Sequence, residues 1–243
     1  MPPDYLRCLI ASTMVLLFVN ARAIAGNEIQ CGNLRSEGQY GPFDYRVASI
    51  DKKQLVEGAH FTREVEQLIR GKNSGDPAGD LDYTLRAFPN HPRALNSLMQ
   101  WGFRKKTDQP SGTRWPIWCY FDRAVRFQPD DAQVKMLYAI YLGRKGKPRE
   151  AAIQLEEAQP FVGDSANLHY NMGLVYLDVG DFEKSLYHAH QAYSLGFPLE
   201  GLKNRLKRSG KWREAVPAPK PVDPPTVSPN VPASMEPATP PQE

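Results

Sequence analysis

A spacing of 34 residues constrains this chain more than any other feature. Gly146 and Gly180 are 34 positions apart, and so are Ala158 and Ala192. Both pairs sit at corresponding places in two consecutive segments, 132–165 and 166–198. A fixed period of this length marks supersecondary units that cannot bury both faces alone and must stack on neighbours. In the later segment, Leu168, Met172, Val175 and Tyr176 recur at helical spacing and form one apolar stripe. Val179-Gly180-Asp181 can turn the chain, because glycine takes a positive φ at no steric cost. Phe182, Ser185, Leu186, Ala189, Ala192 and Tyr193 then line a second helix. Gly173 falls where the two helices approach, and a side chain there would push them apart. In the earlier segment, Val134, Leu137, Tyr138 and Tyr141 mark the first helix, and Ala151, Leu155 and Ala158 the second.

Two further units precede these. One spans 92–131, with Pro92 suited to a first helical turn, Leu95, Leu98 and Met99 on one helix, and Ile117, Phe121, Ala124 and Val125 on the next. Its connecting loop, KKTDQPSGTRWP, carries six more residues than the period requires, which loops tolerate better than helices. The other spans 58–91, with Phe61, Val65, Leu68 and Ile69 as one stripe and Leu81, Thr84, Leu85 and Phe88 as another. It is degenerate, since Asp76 and Pro77 stand where its second helix should already have begun. Residues 26–57 lack a sustained period and read as an irregular lead-in, with Tyr40, Phe43 and Tyr45 docked over the first helices; a ligand role for these aromatics is the alternative. A capping helix is expected over 199–214, and residues 215–243, with ten prolines and little that is large and apolar, read as a disordered tail.

The segment from Ala166 to Pro198 resembles a tetratricopeptide repeat in Met172-Gly173, Tyr176, Ala189, Ala192 and the closing Pro198. The resemblance implies an all-α, right-handed superhelix of three to four helix-turn-helix repeats. It also implies a concave groove lined by the first helix of each repeat, which holds an extended peptide or a partner helix. Carried onto this chain, the groove residues are Arg93, Asn96, Gln100 and Arg104, then Gln133, Met136, Ile140 and Arg144, then Asn167, Tyr170, Leu174 and Asp178. Three arginines with Asn and Gln suit a carboxylate or a peptide backbone, and the apolar members add contact area. The region from His60 to Trp212 is also similar to small exported bacterial proteins of this type, as are the segments CGNL, YGPFDYR and DLDYTLRAFPNHPRAL. That similarity implies a periplasmic setting and supplies no reaction.

Cys8 to Val19 is an apolar run too short to span a bilayer, and Ala23 and Ala25 form an A-x-A cleavage site. Residues 1–25 therefore read as a signal peptide that sends the protein to the periplasm; an uncleaved N-terminal anchor is the alternative, since Asp4 offsets Arg7 ahead of the apolar run. Its removal leaves Cys31 and Cys119 as the only thiols, a disulfide candidate in an oxidising compartment; two buried free cysteines are the alternative. The net charge of +3 for the whole chain gives no nucleic-acid footprint. Lys203, Arg205, Lys207, Arg208, Lys211 and Arg213 form a basic patch at the C-terminal end of the stack. It reads as the polar face of a cap, and otherwise as a contact for anionic lipid or an acidic partner. There is no HExxH, CxxC or GxSxG, and no Gly-Lys dipeptide lies in a P-loop. His188 and His190 read as packing or surface residues. The sequence thus points to a scaffold without catalysis, metal or cofactor, binding a protein or peptide of the cell envelope. An accessory subunit or hydrolase acting on peptidoglycan, and a membrane-surface protein, are the alternatives.

Overall fold

The computed structural model describes residues 31–35, 39–72 and 75–214. The signal-peptide reading of 1–25, Cys8, and the tail reading of 215–243 lie outside the described residues. Within them the protein is all-helical: α1 (Ile50–His60), α2 (Arg63–Glu66), α3 (Pro77–Ala87), α4 (Pro92–Lys105), α5 (Ile117–Phe127), α6 (Ala132–Arg144), α7 (Pro148–Ala158), α8 (Ala166–Val179), α9 (Phe182–Ser194) and α10 (Gly201–Arg208). A 3₁₀ turn, Gln159–Phe161, follows α7.

Helix starts follow local chemistry. Asp76, His91, Asp131, Ser165 and Asp181 each accept a hydrogen bond from a backbone N–H in the first turn of the helix they precede, satisfying a donor that would otherwise be orphaned. Helix stops are equally regular. After α4, α6, α8, α9 and α10 the chain reverses through one left-handed residue, and the next N–H bonds to the carbonyl five positions back. The left-handed residue is Gly146, Gly180, Gly196 or Gly210 in four of these stops and Lys106 in the fifth.

Helices α2, α4, α6, α8 and α10 contact one another in succession, and α3, α5, α7 and α9 pack against the members that flank them in the chain. One apolar core runs from Phe61 and Val65 through Leu98, Phe121 and Tyr141 to Tyr176; a second, around Leu186, Leu202 and Leu206, closes the end. Gly173 stands where small size was expected: Ser185 Oγ donates to its carbonyl at 2.8 Å, and a Cβ there would lie 2.5 Å from Leu202 Cδ2.

The lead-in departs from expectation. Part of the stretch read as irregular is α1, which buries only Val56 and so shows no apolar stripe. The helix expected around Phe61–Ile69 is the short α2, after which Leu68 turns left-handed and Ile69 is exposed. The aromatics dock as expected: Phe43 and Tyr45 pack on Phe88, and Tyr45 stacks on His91. Asn90 and Arg46 fasten this region. Fully buried Asn90 accepts from Tyr45 N and donates to Asp44 and Asp131, while Arg46 donates to Asp44, Gln128 and Asp130.

Cys31 and Cys119 are disulfide-bonded. Beside the bond, buried Arg123 donates to the carbonyls of Cys31, Gly32 and Asn33 and stacks over Trp115 at 4.1 Å. Desolvation lowers its pKa to about 10, so it remains charged at neutral pH.

Candidate functional site

The residues expected to line a groove lie on α4, α6 and α8, consecutive members of one layer. The caps on His91, Asp131 and Ser165 set where each helix begins and so where each side chain projects. His91 does this as a neutral imidazole. Its Nδ1 accepts from Ala94 N at 3.2 Å, so its Nε2 carries the proton and donates to Glu57 at 3.1 Å. Burial lowers its pKa, in keeping with that role.

The structure places the expected residues in different surroundings. Met136 and Tyr170 are 4% and 8% exposed; Tyr170 stacks on Phe197, and neither is open for recognition. This corrects their assignment to the groove: packing buries both, Met136 in the main core and Tyr170 in the terminal one. Arg93, Arg104 and Asp178 are exposed but tie helices together. Arg93 pairs with Glu57 and Glu66 and covers the Phe61 ring, Arg104 donates to Leu68 O at 3.0 Å, and Asp178 pairs with Arg205 of α10. Asn96, Gln133 and Asn167 are exposed, and Leu174 is half-buried beside the terminal core.

Ile140, Arg144 and Asp178 meet. With Ala139, Gly143 and Val175 they line a cleft of about 310 Å³ between α6 and α8. Arg144 Nη1 donates to Gln100 Oε1 at 3.0 Å, and its guanidinium lies 3.8 Å from the Phe103 ring centroid. Among the described residues it forms no ion pair with a carboxylate, unlike Arg93 and Arg205. Its charge is held in place by a neutral amide and an aromatic face.

Three residues of the basic patch are engaged within the protein. Lys203 pairs with Glu200 and lies over Trp212, Arg205 pairs with Asp178, and Lys211 lies over Phe182. Lys207 and Arg208 remain exposed, and Arg213 falls past the helical unit, which closes at Trp212. His190 packs against Trp212, whereas His188 is buried against His169.

Sequence reasoning missed a second cleft, of about 330 Å³, where the long α4–α5 loop faces α6. The six extra residues were the signal, since a loop longer than its period has room to build a wall.

No group of three or more His, Cys, Asp or Glu among the described residues is placed to hold a metal ion. No helix among them is long and apolar enough to cross a membrane. No family model matches the chain, and no curated protein matches it.

Proposed function

We propose that the protein is a tetratricopeptide-like right-handed superhelix that serves as a scaffold or assembly adaptor in the periplasm, holding a peptide or helix of an envelope protein on its α4–α6–α8 face. The observation that carries this reading is Arg144. Its guanidinium lacks a carboxylate partner among the described residues and lies beside the apolar Ile140 and Val175 in the α6–α8 cleft. A carboxylate on a bound chain would gain a charge-assisted hydrogen bond there, while an apolar side chain fills the cleft. The repeated left-handed helix stop and the alternation of paired helices support the repeat architecture. The Cys31–Cys119 bond supports an oxidising compartment.

Selection from a random peptide display library on the purified protein tests the reading. The selected peptides should share an acidic residue near an apolar one and lose binding to a variant carrying Ile140→Ala and Arg144→Gln. Peptides that bind this variant as well as the native protein would place recognition elsewhere.

A further inference from the structure

The cleft beside the long α4–α5 loop has an apolar floor of Met99, Phe103, Ile117 and the Tyr141 ring, with Lys106, Asp108 and Lys145 at its lip. The inserted loop forms one wall, and Ile117 N donates to Asp108 O to hold it. Its volume is at the small end of ligand pockets, enough for one compact molecule and too small for a helix.

Three observations describe what would fill it. The Tyr141 side chain is 4% exposed and lines the cleft; its hydroxyl makes no hydrogen bond among the described residues and is the part that stays open to solvent. Burial first, and then nearby Asp108, push its pKa up to about 12, so it stays a proton donor. Lys145 is paired with Asp108 at 2.6 Å, whereas Lys106 has no carboxylate partner among the described residues. Lys106 is also the residue that adopts φ 53° where the four equivalent helix stops use glycine. A strained residue kept where glycine would serve points to use of its side chain.

We propose that this cleft binds a small organic carboxylate with an aromatic or branched apolar body, the body on the Met99–Phe103–Ile117 floor and the carboxylate between Lys106 and the Tyr141 hydroxyl. The site is separate from the peptide-binding reading of the α6–α8 cleft and stands or falls without it.

The probe is 3-phenylpropionate, titrated into the full chain at low salt and followed by amide shifts in ¹⁵N-labelled protein. Saturable shifts should centre on Gly102, Thr107 and Lys145. The neutral analogue 3-phenylpropanamide should bind about tenfold more weakly, as loss of a charge-assisted contact implies. Lys106→Gly should weaken the acid about tenfold while raising thermal stability, because glycine relieves the left-handed strain; Tyr141→Phe should weaken it several-fold. These opposite movements separate a lost contact from a damaged fold. Equal binding of acid and amide, no effect of Lys106→Gly, or shifts centred elsewhere would overturn the proposal. A peptide ending in phenylalanine that binds the same amides ten times more tightly than the free acid would also overturn it, assigning the cleft to chain termini instead.

Discussion

His169 and His188 share a hydrogen bond between their Nδ1 atoms, 2.8 Å apart, in the buried seam between α8 and α9. His169 Nε2 faces Gly163 O at 3.1 Å and so carries that ring's proton, which leaves His169 Nδ1 to accept from His188. Desolvation, followed by the nearby His169 and Lys184, lowers the pKa of His188 to about 4. Between about pH 4 and 6.5 the unfolded chain therefore binds more protons than the folded one, and stability rises with pH across that window. The shift corresponds to about 3 kcal/mol, lost as pH falls through the window. Urea denaturation at a series of pH values should show this slope. His188→Gln, which keeps a donor for His169 but cannot titrate, should reduce it and leave the part of the same sign that buried His91 contributes.

A second acid-sensitive contact works at lower pH. Glu57 accepts from His91 and from Tyr45 and pairs with Arg93, and these partners, His91 foremost, lower its pKa to about 2. A depressed carboxylate contributes stability that is present above its unfolded pKa of 4.5 and lost as pH falls toward 2. The contribution is about 2 kcal/mol after solvent screening. Glu57→Gln should remove the dependence between pH 2 and 4.5 and leave the His188 window unchanged.

The same substitution at two helical glycines should have opposite signs. Gly173→Ala puts a Cβ 2.5 Å from Leu202 Cδ2 and 3.3 Å from Ser185 O, where overpacking costs about 1–3 kcal/mol. Gly143→Ala, in α6, meets nothing within 4 Å and should gain about 0.5–1 kcal/mol from helix propensity. Paired urea titrations check both.

Removing the Cys31–Cys119 bond should destabilise the folded state by about 4 kcal/mol, because it opens a loop spanning 88 positions in the unfolded chain. Replacing both cysteines by alanine and measuring the thermal midpoint checks this. Arg123 still holds the carbonyls of residues 31–33, so the N-terminal segment should keep its native-state protease protection at low temperature.

Much of the all-helical fold was legible because its helices obey local rules. The 34-residue spacing of Gly146 and Gly180 corresponds to the same left-handed stop twice, and Asn90-His91-Pro92 does cap and start a helix. Helix α1 was not legible, because a helix that buries only Val56 leaves no apolar period. Lys106 gave no sign of its left-handed backbone, since lysine is common in last turns for its charge alone. The expected groove rests on resemblance alone. Helical phase placed Met136 beside Ile140 on one face, but only the packing of α6 against its neighbours shows that Met136 is buried and Ile140 partly open. Nor could spacing show that Arg93 is tied to Glu57 and Glu66 while Arg144 rests on a neutral amide, because those partners come from other helices.

The central claim, a partner held on the α4–α6–α8 face, is tested most directly by photocrosslinking in intact cells. Photoreactive side chains at exposed Asn96, Gln133 and Asn167 would be compared with the same groups at exposed Ile153 on α7 and Tyr187 on α9. Mass spectrometry should find one envelope protein captured from the first three sites and absent from the other two. Equal capture from both sets, or none from the first, would contradict the claim.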